Sequence, residues 1–386
     1  MKKNVLFFGL MAGIALVGCV SEDDPGAKKV NDPAKLVFDS PMMQSNGGSR
    51  ANFYGEIGDH MYEGSSTVYR YPKEEDFVIF AVQHEGDFAG WANAVSHEIN
   101  GMTVSYDQPV DGWAPKDNNN YYYWPSGKMS FAASSPADLE CNAVRSYGAD
   151  GVTIENFVVN NSAAHHFDLL YSVRTLNQTS ENMLDGASYY SGIPINFKHA
   201  LSSVRFSIKN ESEASVVLKS IELYGLKYKG TFKENLVENV ADYTASVSDP
   251  EWTVTEDLIA EGTPYVGFSG SVQFPITPQY VASLAASDTD EDGEVEQVNQ
   301  LLLMPQAIPD EASVVVKYTV NGSERTKTAK IKGWTDLANN VVDAWDMGVR
   351  YTYRLVYGSA AADQDRIYFA PGTEEWVEHE VIVIQL

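Results

Sequence analysis

The chain has 386 residues, enough for two domains of ordinary size, and its 22 tyrosines can fill large cores. Lys plus Arg total 27 against 53 Asp plus Glu, a formal charge of -26. That balance argues against DNA, RNA or anionic lipid as a partner, because each would be repelled over most of the surface.

At the N-terminus, Lys2 and Lys3 precede a run, 5–17, that is apolar except for Gly9 and Gly13. This is the layout of a secretory signal, and the run is too short to cross a bilayer as a helix. Leu16-Val17-Gly18-Cys19 fits the lipobox of exported lipoproteins, where small residues before the cysteine admit a peptidase and the thiol is acylated. Residues 1–18 are thus a signal peptide. Cys19 carries the lipid, and the mature chain is held to the outer membrane by that lipid, not by a helix. The competing reading is a plain signal with a chance cysteine. Ser21-Glu22-Asp23-Asp24 comes next, both a solvated tether and a sequence similar to the surface-export signal of anaerobe lipoproteins. Once Cys19 is lipidated, Cys141 is the only cysteine left, so no intramolecular disulfide can form. Cys141 is expected to be buried and inert.

Residues 20–50 are rich in Asp, Pro, Gly, Ser and Asn, with one apolar island, Leu36-Val37-Phe38. After Arg50 the texture changes to short apolar segments parted by turn residues. The run 77–82 predicts a strand buried on both faces. A polar stretch, 177–192, places a boundary near 190–192, giving domains 51–191 and 192–386. Val204, Phe206 and Ile208 alternate with Arg205, Ser207 and Lys209, the period of a half-buried strand. Residues 279–287 fit a short helix. Val314, Val316, Tyr318 and Val320 alternate again and lead into Asn321-Gly322, a strong hairpin signal because both positions tolerate positive φ. Tyr351, Tyr353, Leu355 and Tyr357 form another one-sided face. The last residues, Val381-Ile382-Val383-Ile384-Gln385-Leu386, are apolar at nearly every position and must be covered, by their own sheet or by a neighbour. Many short strands with turn signals between them predict an all-β chain of sandwiches or barrels.

Sites for chemistry are few. The seven histidines make no metal-ligand spacing, and no nucleophile elbow, phosphate loop or dinucleotide glycine pattern occurs. No cofactor is expected and no enzyme is read. Asp288, Asp290 and Asp292 before Gly293 match the first half of a calcium loop, but the twelfth position is Asn299. A solvated acidic hairpin tip is the alternative. Tyr121-Tyr122-Tyr123-Trp124 reads either as a sugar-stacking platform or as a strand whose rings enter a core.

Several stretches, in order, resemble the fimbrillin family, the subunits of type V pili and their relatives. They are Tyr122-Tyr123-Trp124-Pro125 through Phe131-Ala132 to Pro136, Asp168-Leu169-Leu170-Tyr171, and Ile195-Asn196-Phe197-Lys198-His199-Ala200-Leu201. Residues 345–353 and 367–376 resemble the family's C-terminal end. Ala133-Ser134-Ser135 stands where many members have paired tyrosines. The resemblance implies two transthyretin-like β-sandwiches and a non-enzymatic stalk or tip subunit of surface fimbriae, assembled with other subunits and involved in adhesion. It also implies removal of an N-terminal segment after an arginine, so that a neighbour's strand fills the groove left behind. Arg50, before Ala51, is the matching position in a small-residue setting that suits a protease; an ordinary loop arginine is the other reading. Residues 19–50, including 36–38, would then be the removable segment. Val381, Ile382, Val383, Ile384 and Leu386 are the candidate donor strand, or the last strand of their own sandwich. A glycan-binding surface lipoprotein of a polysaccharide-uptake system is the alternative function, distinguished by whether aromatics such as 121–124 are exposed.

Metabolic labelling with a fatty-acid analogue should mark the parent chain and leave a Cys19→Ala variant unlabelled. Label retained by the variant would remove the lipid assignment.

Overall fold

The computed structural model describes residues 42–44, 60–63, 66–71, 73–86, 88, 96–107, 112–117, 122, 124–139, 142–148, 151–161, 166–173, 175–179, 193, 195–234, 250–255, 263–274, 279–280, 300–335, 340–358 and 367–375. Every regular element among them is a strand. In chain order the first are β1 (Met42–Gln44), β2 (His60–Glu63), β3 (Ser66–Arg70), β4 (Phe77–His84), β5 (Ser96–Asp107), β6 (Gly112–Pro115), β7 (Lys128–Ser135), β8 (Val144–Gly148), β9 (Gly151–Val158), β10 (Leu170–Val173), β11 (Thr175–Gln178) and β12 (Asn196–His199). There follow β13 (Ser202–Asn210), β14 (Val216–Tyr224), β15 (Lys229–Lys233), β16 (Glu251–Val254), β17 (Tyr265–Gln273), β18 (Gln279–Tyr280), β19 (Gln300–Leu303) and β20 (Gln306–Ala307). The last are β21 (Ser313–Val320), β22 (Ser323–Lys330), β23 (Trp334–Thr335), β24 (Val341–Val342), β25 (Ala344–Trp345), β26 (Val349–Tyr357) and β27 (Ile367–Glu375).

A ten-stranded sheet has the order β2-β3-β1-β12-β10-β7-β4-β5-β6, with β11 also on β7. Its centre explains the unbroken apolar run of β4, since 77–82 are all buried. Phe77, Ile79 and Phe131 join the main core, while Val82 and Ala132 point to a smaller cluster completed by Phe88 and Leu176. Two covered faces need apolar residues at every position, and β-branched and aromatic ones fit the pleat.

The later strands form a five-stranded sheet, β18-β13-β26-β27 with β19 also on β13, and a four-stranded sheet, β17-β14-β21-β22. β13 and β26 run parallel, from Ser203↔Arg350 to Asn210↔Tyr357. Their predicted faces enter the core: Val204, Phe206, Ile208, Tyr351, Tyr353, Leu355 and Tyr357 are all buried. The Asn321-Gly322 hairpin forms between β21 and β22, flanked by Val320↔Ser323, with φ of 49° and 82° at the two turn residues. Both lie in the left-handed region that a two-residue turn of this kind requires. Gln279 and Tyr280, read as the start of a helix, are instead extended and pair with Ile208 and Ser207. An open sheet edge outweighs a weak local preference.

Two ladders connect strands from before and after 191. β12 pairs with both β10 and β1. A second four-stranded sheet, β16-β15-β9-β8, places β9 against β15. The expected boundary, 190–192, lies outside the described residues. One contiguous apolar core includes Phe77, Phe157, Phe197, Phe232, Leu301 and Tyr353.

Two outcomes follow from this packing. Phe232 is fully buried against Tyr171 and Trp252 at 5.4 Å each. Phe232→Ala should cost about 3–5 kcal/mol in urea unfolding, and a loss under about 1 kcal/mol would show that the site is not packed as described. Burial, and then the charge of Glu234, pushes the Tyr171 phenol from 10.0 up to about 12. Burial pushes Tyr71, Tyr265, Tyr351 and Tyr353 higher still. The folded state therefore holds these protons more tightly than the unfolded one. The stabilisation is complete below pH 10.0 and is lost as pH climbs through 12, by about 1.4 kcal/mol per unit for each phenol. Tyrosinate absorbance of these residues should rise together with loss of circular dichroism. Their full ionisation near pH 10 in an intact fold would refute the burial.

Candidate functional site

The segment read as removable contains one described strand, β1, and this strand is internal to its sheet. It runs parallel to β12 through Met42↔Asn196 and Met43↔Phe197, and antiparallel to β3 through Met42↔Arg70, Met43↔Tyr69 and Gln44↔Val68. Among the described residues, the β2–β3 hairpin reaches the rest of the sheet only across β1. A three-residue strand thus supplies ladder partners to both neighbours.

The walls of that slot are stiff. Phe197 of β12 is fully buried and meets Tyr71, the residue after β3, at 5.2 Å and Phe77 of β4 at 5.6 Å. Trp113 of β6 closes the group, 5.5 Å from Tyr71 and 5.4 Å from Phe77. Tilted and edge-to-face rings at these separations attract beyond simple burial. The Tyr71 hydroxyl donates to Asp76 O at 3.1 Å and shares a 2.6 Å hydrogen bond with Ser135 Oγ. The corner after Ser135 is held by Arg145, whose guanidinium donates to the carbonyls of Pro136 and Ala137. Burial pulls that guanidinium from 12.5 down to about 10, with Asp138 opposing the drop.

At the end of β12, His199 Nδ1 lies 2.5 Å from Asp168 Oδ2, with side chains 10% and 3% exposed. Ala200 N donates to Leu169 O at 2.8 Å and prolongs the ladder to β10. His166, of the adjacent pair, receives the Leu302 amide at Nδ1 (3.0 Å), so its Nε2 donates to Asn160 O (2.6 Å). It is a buried connector to β19, and His165 lies outside the described residues. His84 Nε2 meets Ser130 Oγ at 2.8 Å, but Ser130 is fully buried and also accepts from Asn177 N at 3.1 Å. This contact serves packing, because no substrate can reach it. Among the described residues no three His, Cys, Asp or Glu converge as a metal site.

The structure brings none of the sequence-predicted site residues together. Cys19, Arg50, Ala51, Cys141, Asp288, Asp290, Asp292, Val381, Ile382, Val383, Ile384 and Leu386 all lie outside the described residues, as do 36–38. Of the aromatic stretch, Tyr122 and Trp124 pack against the core, and Trp124 meets Phe131 at 6.0 Å edge-on. Tyr121 and Tyr123 lie outside the described residues. Sequence reasoning missed β1 itself, because Met42-Met43-Gln44 carries no strand periodicity in so short a span.

A profile of the fimbrillin-like family matches residues 70–376. No curated protein matches the chain. Among solved structures it is similar to a candidate cell adhesion protein of Bacteroides uniformis, at 12% identity over 89% of this chain and 99% of that one, with a TM-score of 0.44. A candidate cell adhesion protein of Bacteroides ovatus is similar at 12% identity over 90% and 98%, TM-score 0.46. A fimbrial protein of Bacteroides ovatus is similar at 13% identity over 84% of this chain and 48% of that one, TM-score 0.34. With the profile spanning most of its length, the chain belongs to the fimbrillin-like family.

Proposed function

We propose that this protein is a structural, non-enzymatic subunit of a cell-surface fimbria with a part in adhesion, and that it assembles by exchanging β1 for a neighbour's strand. Membership of the fimbrillin-like family supports the coarse reading. The single observation that carries the finer one is the place of β1, between β3 and β12 and on the N-terminal side of Arg50. A cut after Arg50 would leave β1 tied to the mature chain only by backbone hydrogen bonds over three residues. Its loss would strip partners from β3 and β12 together. An extended strand of another subunit would restore them, with the main chain giving affinity and alternate side chains giving register. Val381, Ile382, Val383, Ile384 and Leu386 are the segment proposed to be donated. They follow β27, which is an edge strand of its sheet among the described residues. Before the cut, the lipid on Cys19 holds the precursor at the outer membrane. No metal or other cofactor is required by this reading.

Treatment with an arginine-specific protease should polymerise the parent chain and leave Arg50→Ala monomeric. Hydrogen exchange at Asn196 and Phe197 should rise in the cut monomer and fall again in the polymer. Equal polymerisation of parent and variant would overturn the cut at Arg50, and unchanged exchange along β12 would overturn the slot.

A further inference from the structure

A cleft of about 420 Å³ opens beside β16, away from the β1 slot in the ladder order. That volume lies in the range of roughly 300–1,000 Å³ seen for small-molecule sites. Trp252 of β16, Trp345 of β25 and Met347 give it apolar walls, and Lys227 and Asp346 add one cation and one carboxylate.

The walls are fixed before any ligand arrives. Trp252 is half-buried, its Nε1 donates to Ala200 O at 2.5 Å, and its ring rests on Phe157 and Phe232 at 5.4 Å each. Trp345 is fully buried and its Nε1 donates to the Tyr353 hydroxyl at 2.9 Å. With both indole N–H groups engaged, the tryptophans offer ring surface to the cleft, not donors. The Gln306 amide is equally committed. Its oxygen accepts from Lys227 N at 2.9 Å, and its nitrogen donates to Lys227 O and Met304 O at 3.0 and 3.1 Å. Gly230 permits the close approach of β16, since a Cβ there would stand 2.8 Å from Thr253 O and 2.9 Å from Met304 Cε. A preformed wall spares a ligand the ordering cost of binding.

The lining chemistry selects the ligand class. A purely apolar molecule would strip water from Lys227 and Asp346 with nothing in return. An anion would meet Asp346 and a chain of formal charge -26. A pyranose has a face of C–H bonds for an electron-rich ring and an edge of hydroxyls that both donate and accept. We propose that the cleft binds a neutral hexose unit of an exposed glycan, stacked on Trp252, with Lys227 and Asp346 taking its hydroxyls. This inference rests on the surface-adhesion reading and names the ligand for it.

The test titrates the full chain with methyl glycosides of glucose, galactose, mannose and N-acetylglucosamine, read by saturation-transfer magnetic resonance and tryptophan fluorescence. At least one glycoside should bind saturably. Ala307→Trp, on the exposed position of β20 that lines the cleft, should fill it and weaken binding at least about tenfold without changing the melting temperature. A Lys227→Gln, Asp346→Asn double variant should weaken binding as well, while keeping the fold. Absence of binding by every glycoside, or parental affinity in Ala307→Trp, would overturn the proposal. A proline-rich peptide that binds where no glycoside does, and is blocked by Ala307→Trp, would reassign the cleft to a protein partner and overturn it too. Protease-induced polymerisation is measured on the same samples. Polymers without sugar binding defeat the cleft alone, and sugar binding without polymers defeats the fimbrial reading alone.

Discussion

Pairing of β9 with β15 is the constraint from which most of the arrangement follows. These strands are distant in sequence, and their ladder is extended by a buried carboxylate. Glu234 N donates to Val152 O, and Glu234 Oε2 accepts from Val152 N, both at 3.0 Å. A residue only 1% exposed thus does the work of an extra strand position. Accepting an N–H in a dry setting is a strong use of a carboxylate, and deleting it would leave the Val152 amide unpaired. The ladder sets Phe157 against Phe232 and Trp252, and that stack in turn orients the indole at the cleft. Segments before and after 191 therefore share one apolar core.

Sheet edges show where further pairing is discouraged. β22 closes one side of its sheet with the sequence Ser323-Glu324-Arg325-Thr326-Lys327-Thr328-Ala329-Lys330, in which the charged positions repel an added strand. β17, at the other side, slips register twice against β14, so its outer edge is not straight. The β1 position differs from both. It is straight, flanked on two sides, and filled by a strand short enough to leave.

Much of the fold was legible in the residues. Alternation over 204–208 and 314–320, the unbroken run at 77–82 and the Asn321-Gly322 turn are local signals, and local physics sets them. Long-range partnership is written nowhere locally. Nothing in Lys229–Lys233 announces β9 as its neighbour, and nothing in Gln279-Tyr280 announces a place beside β13. The same reason hid the candidate sites. Trp252 stands between Glu251 and Thr253 in an ordinary alternating strand, and only folding brings it near Lys227 and Asp346. The more conspicuous aromatics at 122 and 124 turned out to pack inward.

The parallel pairing of β13 and β26 has a mechanical consequence. Their register holds over eight positions, Ser203↔Arg350 to Asn210↔Tyr357. A subunit under tension is pulled toward its two chain ends. The start of β13 is then drawn one way and the finish of β26 the other, along the strands and across their bonds. In that shear geometry the bonds share the load and must fail together, whereas an antiparallel hairpin pulled at its open end peels one bond at a time. The strands that close the core are thus oriented to resist stretching, a property that equilibrium unfolding does not measure and that an extended surface filament under flow would experience first.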